Sequence, residues 1–226
     1  MLSGSCRCIK FGWANCVMTI RKLGPYGTQA SRPFNLVAKQ SDLEIAQHFS
    51  SDNRSTPCTV TDGSIAQALG INRDSTVHAS QLDQPMTLVD IDLMQIEYRT
   101  NTSKMTTSLI VAGSLAMQHR TALSTSLILS NSGILRGRDV LPRAHPNDGF
   151  VDVLEIDVEI TMRQRALAWH RSKTGSHLPH PHFQVSRTND FQWSGSPSRM
   201  IADGVTYKGV VWFHCKVLAD AMNIYF

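Results

Sequence analysis

The feature that most constrains the fold of this chain is a succession of short β-type segments that begins at residue 87 and continues to the C-terminus. The candidate strands are Thr87–Glu97, Thr107–Gly113, Ser124–Ser130, Phe150–Val158, His182–Thr188, Phe191–Trp193, Arg199–Ala202, Val210–Val217 and Met222–Phe226. Many short strands separated by turn residues predict a β-sandwich or an irregular barrel. One helix, predicted over Thr161–Ser172, interrupts the series and places Met162, Ala166 and Trp169 on one stripe.

The residues before this series carry the signals of two short helices. Ser41 begins a capping box that opens a predicted helix over Asp42–Phe49. A second helix is predicted over Gly63–Leu69, with Asp62 or Thr61 as its N-cap. The first part of the chain is therefore expected to mix helices with occasional strands, unlike the part that follows it.

These patterns divide the chain into segments 1–17, 18–86 and 87–226. Met18 is a plausible second start, so we expect the first segment to be an N-terminal tail. The second is predicted to be a shortened α/β segment and the third a β-rich domain, which makes the fold α+β and mostly β. A shortened α/β segment would leave apolar surface for a second copy of the chain or a protein partner to cover.

Composition and charge narrow the class of protein. The 226 residues are 42% hydrophobic and 18% charged, which is typical of a globular chain. A net charge of +4 is compatible with an anionic ligand or a lipid headgroup, but it falls short of the basic stripe of a dedicated nucleic-acid binder. Five cysteines without framework spacing indicate a reducing compartment, and the apolar stretches are too short to span a bilayer. We therefore expect a cytoplasmic protein.

The most informative motifs lie between residues 141 and 204. Leu141–Val153 reads LPRAHPNDGFVDV, Lys173–Pro181 reads KTGSHLPHP, and Ile201–Gly204 reads IADG. In content and order these motifs resemble the diacylglycerol kinase and bacterial lipid kinase superfamily, which carries a "DDGLLDV" strand opener, a helix, a "GxHxxxP" loop and a "DGE" turn. Short actinobacterial members with "PRAHPNDG" and "TGTHVPHP" are more similar still. Upstream, Val60–Ile71 is similar to the family's "GTxNDFARxLGIP" motif, which lies near the nucleotide cleft, so the resemblance makes Asp62 and Gly63 candidate ligand-binding residues.

The resemblance implies an NAD kinase/diacylglycerol kinase-like fold, with a truncated α/β remnant of the nucleotide domain packed on a β-sandwich-like C-terminal domain. The family's phosphate-binding "GGDGT" loop has no counterpart in the sequence, and such loops supply the N–H donors that hold a triphosphate. Val205 stands where the family has the glutamate of "DGE", a residue that the resemblance makes the general base, and valine cannot accept a proton. Asp203 is left as a weak catalytic candidate.

We therefore predict a catalytically degenerate lipid kinase-like protein that binds a lipid or a phosphorylated ligand. The alternative is an active lipid kinase, which would use ATP and Mg²⁺ to phosphorylate a lipid hydroxyl.

Three arginines supply a candidate anion site. Arg136, Arg138 and Arg143 lie within eight residues and are followed by His145. Guanidinium groups match the paired oxygens of phosphates and carboxylates, so this cluster suits an anionic ligand. A solvated turn with local ion pairs is the other interpretation of the same residues.

Two aspartates supply a candidate metal site. Asp148 and Asp152 correspond to acidic positions that help to hold a structural Mg²⁺ in some members of the family, and Mg²⁺ prefers oxygen ligands. Asn147 replaces the first acid of the usual pair, and a turn-capping role for Asp148 is the alternative.

A helix-turn-helix over residues 65–78 is a rival interpretation from another class. It would direct Arg73, Ser75, Thr76 and His78 toward DNA. Its second helix is short and carries Asp74 in place of further basic residues, so a nucleic-acid partner is disfavoured.

Overall fold

The computed structural model describes residues 27–51, 56–71, 86–102, 107–118 and 125–226. Within these ranges the helices are α1 (Asp42–Ser50), α2 (Ser64–Leu69) and α3 (Met162–Arg171), and a 3₁₀ helix follows at Ser172–Thr174. The strands are β1 (Thr28–Ala30), β2 (Val37–Lys39), β3 (Cys58–Val60), β4 (Met86–Thr100), β5 (Thr107–Ala112), β6 (Ser114–Gln118), β7 (Thr125–Ser130), β8 (Ile134–Leu135), β9 (Arg138–Asp139), β10 (Val151–Ile156), β11 (Phe183–Thr188), β12 (Asp190–Ala202) and β13 (Val205–Tyr225).

Eleven of the described strands form one sheet. Its main path runs β1-β4-β13-β12-β6-β7-β10-β11, while β5 pairs with β4, and β3 pairs with both β13 and β2. The pairs along the main path are antiparallel, and β3 is parallel to its two neighbours. The expectation of a mostly β fold with few helices is confirmed, and the large sheet is mainly antiparallel.

The last strand is longer than the sequence suggests. The pattern predicts two strands, Val210–Val217 and Met222–Phe226, but β13 continues through the residues between them. Its pairing with β4 shifts register between Leu218 and Met222, and Asp220 there has a φ of 48°. The predicted break is therefore a β-bulge, because a bulge accommodates extra residues without ending the strand. The candidate strands Phe191–Trp193 and Arg199–Ala202 are likewise joined in β12.

The sheet curls over its main hydrophobic core. Met94 of β4, Leu129 of β7, Val153 of β10 and Phe213 of β13 are fully buried in one cluster. Because β4 and β10 lie far apart along the strand order, their side chains can meet only if the sheet bends toward itself. A backbone hydrogen bond of 2.7 Å from the Asp92 N–H to the Pro146 carbonyl joins β4 directly to the segment that precedes β10.

The two N-terminal helices pack on a second part of the same sheet. Ile45 of α1 and Ile65 of α2 share a buried cluster with Ile91 of β4 and Ile224 of β13. The predicted start of α1 is confirmed, since Ser41 Oγ accepts a hydrogen bond of 3.2 Å from the Glu44 N–H. Segment 18–86 therefore contributes to the core through its described residues.

Helix α3 lies outside the main core. Thr161 and Gln164 form a complete capping box at its start, and Ala168 is its buried residue. The predicted stripe of Met162, Ala166 and Trp169 is exposed, so the buried side of α3 is the one that carries Ala168. Among the described residues, no helix has the length and apolar character needed to cross a membrane.

Candidate functional site

A cavity of about 950 Å³ lies between the sheet, the starts of α1 and α2, and helix α3. Its walls from the sheet and α3 are mainly apolar and include Ala116, Ile128, Leu154, Ile156, Ala168 and Phe183. Its polar part is formed by Asp42, Asp62, Ser64, Ser114 and Asp203. An apolar cavity with a few convergent polar groups is the usual form of a small-molecule site.

Asp203 holds a corner of the sheet from the turn between β12 and β13. Its Oδ2 accepts a hydrogen bond of 2.8 Å from the Gly113 N–H, at the point where the chain passes from β5 to β6. Its Oδ1 accepts from the N–H and the hydroxyl of Ser114, at 2.8 and 2.9 Å. The weak catalytic candidate of the sequence therefore lines the cavity and also has a structural role.

Asp42 caps the neighbouring helix rather than its own. Its Oδ2 accepts hydrogen bonds from the N–H and the hydroxyl of Ser64, at 2.8 and 2.6 Å, and its Oδ1 accepts from the Ile65 N–H at 3.1 Å. The prediction of Asp62 or Thr61 as the N-cap of α2 is wrong, because Gly63 occupies that position and offers no side chain. The cap comes from α1, where the carboxylate meets the unsatisfied N–H groups of the helix start.

Gly63 is required by this arrangement. Its φ of +104° is a conformation that residues with a side chain rarely adopt. A Cβ atom placed on Gly63 would lie 2.6 Å from Asp42 Oδ1, well inside van der Waals contact. Asp62, the other predicted ligand-binding residue of this motif, accepts a hydrogen bond of 2.8 Å from the Gly63 N–H and lines the cavity beside Asp42.

The carboxyl groups of this site have shifted proton affinities. Burial, reinforced by the charge of Asp42, raises the pKa of Asp203 to about 7, against the lowering effect of its hydrogen bonds. Burial is also the main cause that raises the pKa of Asp42, and the charge of Asp62 adds to it. Near neutral pH the Asp203 carboxyl can therefore hold a proton, so it can both donate to and accept from a ligand hydroxyl.

Helix α3 and the loop after it form the opposite wall. The Arg165 guanidinium donates to the Thr125 carbonyl at 2.9 Å and to the Asp157 carbonyl at 3.3 Å, which fixes α3 against the sheet. His177 is 5% exposed, and its Nε2 lies 3.0 Å from the Val140 carbonyl, so Nε2 is the donor. Burial lowers the pKa of His177, which favours the neutral ring.

The structure separates the four residues of the predicted anion site. Arg136 is exposed and lines the cavity, so it lies at the opening. The Arg138 guanidinium donates to the Trp169 carbonyl at 2.7 Å and stacks 4.4 Å from the centre of the Trp169 ring. Arg143 is exposed and does not line the cavity, and His145 Nδ1 accepts from the Asn147 N–H at 3.3 Å. The anion site is left as a prediction, with Arg136 as its member at the cavity.

The predicted metal residues belong to another cluster. Asp148 forms an ion pair with Arg187 and accepts a hydrogen bond of 3.0 Å from the Phe150 N–H, while Asp152 is buried in β10. Burial raises the pKa of Asp148, and Arg187 opposes this effect. Within the described ranges, no group of three or more His, Cys, Asp or Glu side chains could hold a metal ion. The Mg²⁺ assignment therefore remains a prediction from the sequence resemblance.

Asp92 organises that second cluster. Its Oδ2 accepts hydrogen bonds of 2.9 and 2.7 Å from the N–H groups of Asp148 and Gly149, and its Oδ1 accepts one of 2.9 Å from the Asp220 N–H. Asp92 is 2% exposed and does not line the cavity. We describe Asp92 and the three N–H groups that it accepts as the Asp92 hub.

Sequence reasoning missed several residues of the cavity. Asp42 was assigned only to a helix start, and Ser114, Arg165 and Trp169 were not assigned to any site. No motif marks Asp42 or Ser114, because their partners Ser64 and Asp203 lie 22 and 89 residues away in the chain. The DNA-facing residues of the helix-turn-helix alternative, at positions 73, 75, 76 and 78, lie outside the described residues.

The chain was also compared with known proteins. No protein-family model matches the sequence, and no curated protein matches it. Among solved structures, a diacylglycerol kinase from Bacillus anthracis strain Sterne matches with a TM-score of 0.44 and 8% identity, covering 93% of this chain and 82% of that one. Two further structures from that strain, provisionally named diacylglycerol kinases, match with TM-scores of 0.46 and 0.42 at 8% and 7% identity, covering 92% of this chain and 81% and 80% of theirs. The structural resemblance is distant.

Proposed function

We propose that this protein is a diacylglycerol kinase-like, catalytically degenerate protein that binds a lipid with a hydroxylated head in the cavity. The observation that carries the proposal is the division of the cavity into an apolar wall and a carboxyl-lined polar part. An acyl chain along Ile128, Leu154 and Ile156 would bury apolar surface, and each Å² buried stabilises the complex by about 25 cal/mol. A hydroxyl at the polar part could donate a hydrogen bond to a carboxylate oxygen.

The charge of the polar part favours an uncharged head over a phosphorylated one. Asp42, Asp62 and Asp203 line it together. The charge of Asp62 raises the pKa of Asp42, and the charge of Asp42 raises the pKa of Asp203. A phosphate brought next to these carboxylates would be repelled, and burial strengthens such repulsion because the local dielectric is low. Arg165 offers little compensation, since its guanidinium donates to two backbone carbonyls.

Two features of the sequence support the degenerate state. The chain lacks a counterpart of the "GGDGT" loop, and Val205 follows Gly204 where the resemblance predicts a glutamate. Phosphoryl transfer depends on positioning the triphosphate and on stabilising its charge, and neither is served by the carboxylates of the cavity.

The proposal is tested by titrating 1-octanoylglycerol, below its critical micelle concentration, into the protein in a calorimeter. We expect saturable binding, and weaker binding of the 3-phosphate of the same molecule. Ala168→Trp should fill the cavity and lower the affinity at least about tenfold, which corresponds to about 1.4 kcal/mol. Ala166→Trp is the matched control, because Ala166 lies on the same helix but is exposed and does not line the cavity.

Far-UV circular dichroism of both variants checks that they fold. Equal affinity of wild type and Ala168→Trp, or tighter binding of the phosphate, would refute the proposal. Transfer of labelled phosphate from ATP·Mg²⁺ to 1-octanoylglycerol would establish the active kinase in place of the degenerate protein.

A further inference from the structure

The cavity runs along strand β6 and has a different chemistry at each end of that strand. Three alternate residues of β6 line the cavity, namely Ser114, Ala116 and Gln118. Asp203 lies at the Ser114 end, where its Oδ1 accepts from the Ser114 N–H at 2.8 Å. Arg165 lies at the other end, because its guanidinium donates at 2.9 Å to the carbonyl of Thr125, which pairs with Gln118. Four residues of a strand extend about 13 Å, so about this distance separates the Asp203 end from the Arg165 end.

The wall between the two ends is apolar. Ala116 pairs with Ile128 of β7, and Ile128 pairs with Leu154 of β10, so the three residues form one row across the sheet. All three line the cavity, and Ala168 lines it from α3. A ligand chain that runs from one end to the other would therefore bury its apolar surface along its length.

Arg165 brings a positive charge to the cavity without an acidic partner among the described residues. Its guanidinium donates to the carbonyls of Thr125 and Asp157, and a guanidinium has more N–H donors than two carbonyls use. The Asp157 carboxylate has other contacts, since its Oδ1 accepts from the Glu159 N–H at 2.9 Å and its Oδ2 lies 3.7 Å from His182 Nδ1. Burial lowers the pKa of Arg165, because the charged form is partly desolvated. An anion at the remaining N–H groups would stabilise this half-buried cation.

The sign of the charge therefore reverses along the cavity. The Asp203 end also carries the carboxyl groups of Asp42 and Asp62, whereas the other end carries the Arg165 guanidinium, and Arg136 is exposed at the opening. An anionic group bound to Arg165 would lie about 3 Å from the guanidinium and about 13 Å from Asp203. Because the Coulomb energy falls with the inverse of the distance, attraction outweighs repulsion at this position. A negative charge is thus disfavoured at the Asp203 end and favoured at the Arg165 end.

We propose that the ligand of this cavity is a hydroxylated fatty acid, with its hydroxyl at Asp203 and its carboxylate at Arg165. The paired oxygens of a carboxylate match the forked N–H donors of a guanidinium. Hydrogen bonds of about 3 Å at each end leave roughly 7–13 Å between the polar ends of the ligand. An extended saturated chain advances about 1.25 Å per bond, so a chain of about eight carbons fits this distance. The hydroxyl end rests on the proposed function, and the carboxylate end is an addition to it.

The test compares 8-hydroxyoctanoate with octane-1,8-diol and octanoate, each titrated into the full chain in a calorimeter. The diol lacks the carboxylate and octanoate lacks the hydroxyl, while all three have the same chain length. We expect 8-hydroxyoctanoate to bind at least about tenfold more tightly than either, because hydrogen bonds to charged groups are the strong ones. An equal affinity for the diol, or an equal affinity for octanoate, would overturn the proposal.

Two variants locate the carboxylate. Arg165→Gln should lower the affinity for 8-hydroxyoctanoate at least about tenfold and change that for octane-1,8-diol less than about threefold. Because Arg165 also holds α3 against the sheet, the second variant is Gln118→Glu, which keeps that arginine and places a competing carboxylate at the same end of the cavity. It should show the same selective loss.

The matched control is Arg163→Gln, because Arg163 is an exposed arginine of α3 that does not line the cavity. Its affinities should equal those of the wild type, and far-UV circular dichroism checks the fold of all three variants. An unchanged affinity for 8-hydroxyoctanoate in the folded Arg165→Gln and Gln118→Glu variants, or an equal loss in the control, would overturn the proposal.

The uncharged lipid 1-octanoylglycerol separates this inference from the proposed function. If it binds while 8-hydroxyoctanoate binds no more tightly than the diol, the carboxylate site at Arg165 is overturned and the proposed function stands. If 8-hydroxyoctanoate binds through Arg165 while 1-octanoylglycerol does not bind, the Arg165 site is supported and the uncharged lipid is refuted.

Discussion

Asp92 and Asp203 use the same chemistry for different ends. Each carboxylate accepts backbone N–H groups from distant parts of the chain, three for Asp92 and two for Asp203, which also accepts the Ser114 hydroxyl. Asp92 is buried and lies away from the cavity, whereas Asp203 lines it next to the charge of Asp42. The pattern of hydrogen bonds therefore does not distinguish a structural carboxylate from a candidate functional one. What distinguishes Asp203 from Asp92 is its position on the cavity and the neighbouring carboxylate of Asp42.

The largest expected effect is the loss of the Asp92 hub. Asp92→Ala leaves the N–H groups of Asp148, Gly149 and Asp220 without their acceptor, so we expect the free energy of unfolding to fall by about 3–5 kcal/mol. Urea denaturation measures the change, and Glu155→Ala, at an exposed carboxylate, should stay within about 0.5 kcal/mol of wild type. A loss below about 1 kcal/mol for Asp92→Ala would contradict the structural role.

A somewhat smaller effect is expected at Gly63. Gly63→Ala introduces both an unfavourable φ and a clash with Asp42, so it should cost about 2–4 kcal/mol. Gly149→Ala is the control, since its φ of +73° is also positive but no atom lies within 4 Å of the new Cβ, and it should cost about 1–2 kcal/mol. Only Gly63→Ala should weaken 1-octanoylglycerol binding. Equal effects of the two variants would show that the contact with Asp42 is unimportant.

The shifted pKa of Asp203 predicts a pH dependence of stability. Between pH 3.8 and about 7, Asp203 keeps its proton in the folded protein but has lost it in the unfolded chain. Its contribution to the free energy of unfolding is therefore fully present below pH 3.8 and is lost as the pH rises through about 7. One such proton gives a slope of at most about 1.4 kcal/mol per pH unit. Asp203→Asn should flatten the slope in this window, and Glu155→Gln should leave it unchanged. Asp42 has the same sign and continues to contribute in the variant.

The smallest effect is expected for the ion pair beside the Asp92 hub. Arg187 is 47% exposed on its side chain, so Arg187→Ala should cost no more than about 1 kcal/mol. The variant also frees the Asp148 carboxylate and thereby tests the predicted Mg²⁺ site. If Asp148 and Asp152 hold Mg²⁺, added Mg²⁺ should raise the Tm of the variant more than that of wild type. An equal response of both proteins would end the metal prediction.

Much of the local structure could be predicted from local patterns. Ser41 marks the start of α1 with a side-chain cap and Thr161 marks that of α3 with a complete capping box, because each signal lies within four residues. The strand-rich pattern after residue 86 predicts the mostly β fold. The breaks predicted within β12 and β13 are wrong, since each strand pairs with its neighbour both before and after its bulge.

The candidate site was predictable only in part. Asp62, Gly63 and Asp203 were singled out by the family resemblance, and Arg136 by its charge, and all four line the cavity. Arg138, Arg143 and His145 were grouped with Arg136 because they are close in sequence. In the structure, Arg138 bonds the Trp169 carbonyl, and Arg143 and His145 do not line the cavity. The turns of this segment direct neighbouring side chains to different sides.

The sequence alone determined the strand-rich pattern after residue 86 and the Ser41 signal at the start of α1, since each depends on residues within a few positions of one another. Only the tertiary structure decided which carboxylates meet. Asp42 reaches Ser64 across 22 residues, and Asp203 reaches Gly113 across 90, because the sheet curls and brings both helix starts to the corner between β5 and β6. The raised pKa of Asp203 has the same origin. Burial and the proximity of Asp42 are properties of the folded chain, and no local pattern encodes them.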